Sequence, residues 1–453
     1  MPRTITVIGG GLAGSEAAYQ LAVRGIGVRL IEMRPSASAP AHHTGLLGEL
    51  VCSNSLKSDD PDTAAGMLKS ELGSLGSVVL ACARSTAVAA GGALAVDRGA
   101  FAELLTRVVT SRPEIELVRA EATELPEGEV VIATGPLTSA ALEPALQALT
   151  GVERLAFYDA AAPIVDAATI DRSVCFAQSR YDKGGSADYL NCPMDRAEYE
   201  AFIEALTGAA RVTAKEFEAA DLFHACQPAE EIARRGADAL RFGAMKPVGL
   251  TDPRTGRRPW AVVQLRPENR EHTAYNLVGF QTNLTFPEQV RVFRMIPGLK
   301  EADFLRHGVM HRNTFVDAPR LLTPDLALRS DPRIRIAGQL SGTEGYLEAA
   351  ASGLLAALGA FASGRGAPAV VLPPETALGA LLTYATDPET RPYQPMHVNI
   401  GLLPPLTPPV RGKRERYAAH GARSRAEMSG WLASRPELDV ERVRTTLARE
   451  VPR

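Results

Sequence analysis

The sequence predicts an α/β fold: a domain built on a parallel sheet, interrupted by a large inserted α+β domain. Three observations predict it. A β-prone run, Thr4 to Ile8, passes through closely spaced glycines into a helix-compatible segment. A second unit of the same form, strand then Gly-rich turn then Ala-rich helix, returns at Arg333 to Ala362. Between them, from about 160 to 320, the chain turns richer in aromatic, polar and charged residues.

The opening unit carries the most specific chemistry. Gly9 suits the tight turn, Gly11 lets the backbone approach a pyrophosphate, and Gly14 allows close helix–strand packing. Gly10, Leu12 and Ala13 fill the spacing, and the helix N-terminus beyond them favours negative charge. The strand Gly27 to Glu32 ends in a carboxylate eighteen residues after Gly14, placed to grip ribose hydroxyls. Together these predict a Rossmann-like, dinucleotide-binding domain; the bland reading is a tight βα turn with no ligand.

Composition bounds the rest. At 453 residues, two domains or one with a large insertion are expected. A hydrophobic content of 45% with 22% charged residues fits a soluble globular protein. No apolar run approaches membrane-spanning length, and Met1-Pro2-Arg3 followed by a strand is no signal peptide. The five cysteines show no C-x-x-C pair, so reduced thiols and a cytoplasmic location are expected, without a disulfide framework or a metal site. A net charge of −3 confines any nucleic-acid surface to a local patch.

Taken in order, residues 35–60 read as a long loop and 71–99 as short strands. Arg98 to Thr110 reads as a helix with Phe101, Leu104, Leu105 and Val108 on one face. Ile115 to Arg119 and Val130 to Ala133 read as buried parallel strands, the second ending in Ala133-Thr134-Gly135, a turn that flavoproteins of this fold use near the nucleotide. In the insert, Asp195 to Leu206 and Pro287 to Ile296 look helical, and Trp260 to Leu265 and Ala274 to Phe280 look extended. Residues 234–270 carry nine Arg or Lys against three acids, either a phosphate-tracking surface including Arg254, Arg257 and Arg258 or a merely solvated face. Gly338-Gln339 and Gly342-Thr343-Glu344-Gly345-Tyr346 open a second helix whose N-terminus could face a flavin's pyrimidine edge. Leu403 to Pro409 is a rigid extended strap before a basic helix. The expected division is 1–160 and 321–435 for the two parts of the nucleotide domain, 161–320 for the insert, and 436–453 as a tail.

Several stretches resemble one family. Gly9 to Glu16, the loop Cys52-Ser53-Asn54-Ser55-Leu56-Lys57-Ser58, His224 to Glu231, Gly279 to Leu284, Met310 to Phe315 and Ala337 to Tyr346 look like the folate- and FAD-dependent tRNA uracil-5-methyltransferases (TrmFO), over roughly Thr4 to Ser434. The Gly-rich turns and Gln281-Thr282-Asn283 are shared with a related flavoprotein that builds carboxymethylaminomethyl groups on the tRNA wobble uridine. The Cys52 loop and the His311 block favour the methyltransferase, as does a length without room for that relative's further helical domain. The resemblance implies FAD as carrier, 5,10-methylenetetrahydrofolate as carbon donor, NADPH or NADH as reductant, and a T-loop uridine of tRNA as target. It places the cofactor on Gly9, Gly10, Gly11, Leu12, Ala13, Gly14, Glu32, Gly135, Gly338, Gln339, Gly342, Glu344, Gly345 and Tyr346, and folate on His311 and Asn313. No protein partner and no membrane are implied.

The chemistry asks for a thiolate, because uracil C5 becomes nucleophilic only after addition at C6. Cys52 and Cys226 both sit in polar, loop-like contexts; unaided, each reads as a buried structural cysteine more readily than as a catalytic thiol. With the resemblance, Cys226 is expected to add to C6, since it lies in the basic insert, and Cys52 to lie beside the flavin as proton acceptor or guard of the carrier. Two other readings compete: a flavin oxidoreductase of small amines or acids, and a non-catalytic flavin-bearing RNA-binding protein.

Overall fold

The computed structural model describes residues 3–38, 42–151, 155–160, 162–182, 188–212, 227–269, 271–308, 310–391 and 393–452, with the backbone alone at 155–160, 182 and 310–313. A five-stranded parallel sheet forms around the opening strand. Thr4–Ile8 stands in the centre, with Gly27–Glu32 and then Ile115–Arg119 on one side, Glu129–Ile132 and then Ile334–Ile336 on the other. Such a sheet is covered on both faces, which is why its strands read as continuous apolar runs. Ile5, Val7, Val130, Val131, Ile132, Ile334 and Ile336 are all at most 1% exposed.

Two helices pack against each other over this sheet, Leu12–Val23 and Tyr346–Ser363. The contact is close because position 353 is glycine; a Cβ there would lie 2.1 Å from the Ala13 carbonyl oxygen. Tyr346–Ser363 corrects one expectation. Its 18 residues have a mean hydropathy of 1.3, long and apolar enough to cross a membrane, but 89% of that stretch is buried in the protein core. Alanine is small enough to pack on all sides at once, so apolarity here marks burial.

The region predicted as short strands is mostly helical: Ala64–Leu75 and Val78–Ser85, followed by the short strands Ala87–Val88 and Ala93–Val96. Thr63 caps the first helix through the Gly66 N–H at 3.1 Å, and Ser77 caps the second through Leu80 at 3.2 Å. A buried carboxylate from elsewhere completes the second cap: Glu16 accepts from Ser77 Oγ at 2.6 Å and from the N–H groups of Val78 and Val79 at 3.2 and 3.0 Å. Glu71 does the same at a distance, accepting from Ala377 and Leu378 N–H at 2.6 and 2.9 Å and from Ser424 Oγ at 2.7 Å. It ties Ala64–Leu75 to Ala377–Thr386 and to the long helix Lys413–Ser434. The stretch 35–60, read as a loop, contributes a strand, Ser55–Ser58, paired with Ala93–Val96.

A second core surrounds a six-stranded antiparallel sheet, ordered Phe176–Ala177, Leu190–Met194, Ala261–Pro267, Ala274–Leu277, Ile164–Asp166, Phe304–Arg306. Helix Arg196–Gly208 covers it, started by a capping box between Asp195 and Glu198 and burying Tyr199, Phe202, Ile203 and Leu206. Phe280 sits edge-on to Phe202 and Phe293, with ring centroids 6.0 and 5.8 Å away. Strands Leu155–Ala160 and Met310–Phe315 pair antiparallel where the chain leaves and re-enters the first core.

The C-terminal segment also differs from expectation. Residues 436–453, read as a tail, hold a helix, Val440–Glu450, whose Val443 and Leu447 lie one turn apart and are buried in the first core. Tyr19 donates to Glu450 at 2.8 Å, Arg112 to the same carboxylate at 2.8 Å, and Arg24 to the Leu438 carbonyl at 2.7 Å. Those partners are more than 300 residues distant in sequence, so no local pattern announces the docking.

Candidate nucleotide cleft and thiol loop

The strands Thr4–Ile8, Gly27–Glu32 and Glu129–Ile132 end at one cleft of about 970 Å3, counted out to its mouth. It lies where ligands of open α/β sheets bind, beyond the carboxyl ends of the strands. Its walls include Gly9, Gly11, Leu12, Ala13, Glu32, Gly135, Gly338, Gln339 and Tyr346. Gly10, Gly14, Gly342, Glu344 and Gly345 are not among the lining residues. Gly10 instead donates its N–H to Glu32, and Gly342 faces Tyr393.

Two glycines of the opening turn have opposite causes. Gly9 has φ +100° and its Cβ would strike the Ala133 carbonyl, so the fold itself demands glycine there. Gly11 has an ordinary backbone, φ −71° and ψ −166°, and a Cβ on it would meet nothing within 4 Å. Among the described residues nothing requires glycine at 11, whereas a dinucleotide lying close against the backbone would. Helix Leu12–Val23 starts at this position with no side-chain cap and no acid in its first turn, leaving its N–H groups open to an anion.

Glu32 is 4% exposed and accepts from Gly10 N–H at 2.6 Å, Arg34 N–H at 2.9 Å and Arg34 Nε at 2.8 Å. Burial pushes its carboxyl up, but Arg34 and the two backbone donors outweigh that and hold it below the usual carboxylate range. Three of a carboxylate's roughly four acceptor sites are used, which leaves room for a ribose hydroxyl. Arg34 also reaches Glu49 at 3.1 Å. Sequence reasoning missed Arg34, whose only signal is its position two residues past the strand end.

The Cys52 loop lies against the same cleft. Tyr346, on the cleft wall, accepts through its hydroxyl from the N–H groups of Cys52 at 2.8 Å and Ser53 at 3.0 Å. Burial, and then the charge of Cys52, push the tyrosine hydroxyl upward, so it stays protonated. Arg98 binds the loop from below, donating to the carbonyls of Leu50 at 2.8 Å and Cys52 at 3.1 Å. Lys57, at φ 65°, pairs with Glu348 in the first turn of Tyr346–Ser363 at 2.7 Å.

The other predicted residues are placed as follows. Cys226 and His224 lie outside the described residues. Gln227 to Glu231 follow, where buried Glu230 accepts from Thr282 Oγ1 at 2.9 Å and Asn283 N–H at 2.7 Å, joining two of the noted motifs. His311 and Asn313 lie on Met310–Phe315, in register with Asp159 and Phe157. Arg257 and Arg258 are exposed on the turn before Ala261–Pro267, and Arg254 beside them pairs with Asp252 at 2.8 Å. That turn is one strand length, about 20 Å, from the Cys52 loop. The basic stretch is less of a surface than its composition suggests: Arg266 is 6% exposed, and Arg241 lies over the Trp260 ring at 3.8 Å. The described cysteines Cys82, Cys175 and Cys192 are buried, and no cluster of metal-ligating side chains occurs among the described residues.

Fold and cleft together define a nucleotide-binding α/β protein with an inserted antiparallel domain and a cysteine loop against the nucleotide cleft. The chain belongs to the glucose inhibited division protein A family, whose family model matches residues 4–368, and within it to the methylenetetrahydrofolate--tRNA-(uracil-5-)-methyltransferase TrmFO proteins. It is 55% identical over 434 residues to the protein of that name from Pelobacter propionicus, covering 95% of each chain. To that from Geobacter sulfurreducens it is 54% identical over 435 residues, covering 96% of this chain and all of the other. The crystal structure of Aquifex aeolicus GidA shares the fold, with a TM-score of 0.67 at 17% identity, covering 99% of this chain and 76% of that one.

Proposed function

We propose that this protein is a tRNA (uracil-5-)-methyltransferase that takes its carbon from 5,10-methylenetetrahydrofolate, the activity its relatives are named for. The observation that carries the reading is the cleft at Gly11 with the Cys52 loop bound against it through Tyr346. Gly11, the uncapped helix Leu12–Val23 and Glu32 would hold the diphosphate and ribose of FAD, and Gly135, Gly338, Gln339 and Tyr346 would line its remaining length. FAD, when bound, supplies carbon carriage and hydride transfer. The reductant would be NADPH or NADH, and the acceptor the T-loop uridine of tRNA.

The chain's own contribution is addition and proton transfer. Cys226 adds to uracil C6 and makes C5 nucleophilic; Cys52 accepts the C5 proton. His311 and Asn313 orient the pterin, and Arg254, Arg257 and Arg258 contact tRNA phosphates. The protein would act in the cytoplasm. The test is incubation with unmodified tRNA, methylenetetrahydrofolate and NADPH, followed by nucleoside analysis. 5-Methyluridine is expected; its absence, or equal yield without folate, sinks the proposal.

A further inference from the structure

The loop 50–54 is gripped by three arginines, two of which come from the second core. Arg98 donates to the carbonyls of Leu50 and Cys52 at 2.8 and 3.1 Å. Arg306, ending strand Phe304–Arg306, donates to the Val51 carbonyl. Arg266, on Ala261–Pro267, donates to Asn54 Oδ1 and to Ser53 Oγ, both at 2.8 Å. Asn54 is fully buried and closes the grip by donating to the carbonyls of Val96 at 3.0 Å and Pro267 at 2.9 Å.

The charges do not balance. Glu268 pairs with Arg98 at 2.5 Å, and among the described residues no carboxylate pairs with Arg266 or Arg306. Arg266 is 6% exposed, and burial lowers the pKa of both it and Arg306. Three largely desolvated cations therefore face one carboxylate. Such an excess is costly unless an anion shares the site. Of the ionisable groups around them, the hydroxyls of Tyr189 and Tyr346 are pushed upward by burial and stay protonated; Cys52, on the loop that the three arginines hold and with which each interacts electrostatically, is the group able to become that anion.

We propose that Arg98, Arg266 and Arg306 are positioning residues that hold Cys52 as a thiolate at the cleft, with Glu268 limiting their effect. This rests on the reading of Cys52 as proton acceptor. A thiolate, unlike a thiol, can take the C5 proton: the S–H bond forms, the C5–H bond breaks, and the electron pair stays on the substrate. Because two of the arginines belong to the second core, the thiol is ready only when the two cores are docked.

The test is the pH dependence of Cys52 alkylation by iodoacetamide between pH 5 and 10, read by peptide mass spectrometry. It uses flavin-loaded protein carrying Cys226→Ser, in which Cys82, Cys175 and Cys192 are shielded by burial. The midpoint is expected below the free-cysteine value of about 8.5. Arg266→Gln and Arg306→Gln should each raise it by about one unit, Arg266→Lys should restore part of the shift, and the isosteric Glu268→Gln should lower it. Midpoints that agree within error across these folded variants overturn the proposal. So does a shift of the same sign for Arg266→Gln and Glu268→Gln, which is what simple loosening would give. The methylation reading fails separately: absent 5-methyluridine with intact midpoint shifts removes the function and leaves the arginine grip standing.

Discussion

Replacing Gly11 by valine separates what the fold needs from what a bound dinucleotide needs. At φ −71° and ψ −166° the backbone suits a β-branched residue, and among the described residues no atom beyond its chain neighbours lies within 4 Å of the added Cβ. The stability of the flavin-free protein should therefore change by less than about 1 kcal/mol, with restriction of the unfolded chain offsetting small local costs. Gly14→Ala is the internal contrast: its Cβ would stand 1.7 Å from the Gly9 carbonyl oxygen, so the turn itself must move. On the ligand side, the valine side chain would occupy the space through which the helix N–H groups reach a diphosphate. Losing about two hydrogen bonds to a charged group, each worth about 1.5–3 kcal/mol, costs about 3–6 kcal/mol. That is about two to four decades in Kd. The assay is the flavin-to-protein absorbance ratio after desalting, beside thermal melts of both proteins stripped of flavin. A folded, fully yellow Gly11→Val protein refutes the reasoning. So does a variant that melts like Gly14→Ala, because the glycine would then serve the turn and not a ligand.

Further outcomes are expected elsewhere in the molecule. Neutralising Arg254, Arg257 and Arg258 together should weaken tRNA binding and flatten its salt dependence. Since Arg254 already pairs with Asp252, the slope should fall by about 2 rather than 3, measured by filter binding from 50 to 200 mM salt; an unchanged slope places the RNA elsewhere. With tRNA carrying 5-fluorouridine at the target, a covalent adduct should form on Cys226 and vanish in Cys226→Ala, while Cys52→Ala keeps it; peptide mapping to Cys52 reverses the two roles. Burial pushes Glu71 up to about 7, above its ordinary 4.5. Its stabilising contribution is thus full below about pH 4.5 and is lost as pH rises through about 7, an effect of about 3 kcal/mol. Urea unfolding at pH 5 and pH 8 should show that loss in the parent and not in Glu71→Gln; equal pH slopes in both would show that the helix N–H donors already cancel the burial cost.

Local patterns were sufficient wherever the cause of a structure lay within one turn or one strand. The opening turn, the strands Ile115–Arg119 and Ile334–Ile336 and the helices Arg98–Thr110, Arg196–Gly208 and Tyr346–Ser363 follow from periodicity, caps and glycines a few residues apart. The motif stretches that marked the family were legible for the same reason, since each holds its residue types at short, fixed spacing. Reading failed where a distant group supplied the missing interaction. Val78–Ser85 has a local cap in Ser77, but its first two N–H groups are taken by Glu16 from another element, and Val440–Glu450 docks because Tyr19, Arg24 and Arg112 receive it.

The sequence by itself determined the parallel nucleotide-binding sheet and the glycines and carboxylate at its strand ends, because a glycine's tolerance and a strand's continuous apolar run are local properties of the chain. The tertiary structure alone decided the setting of Cys52. Arg98 looked like the start of a helix, and Arg266 like one charge in a basic stretch. Only folding brings Arg266 and Arg306, more than 200 residues away, onto the loop of Cys52, where desolvation turns ordinary surface charges into a strong local field.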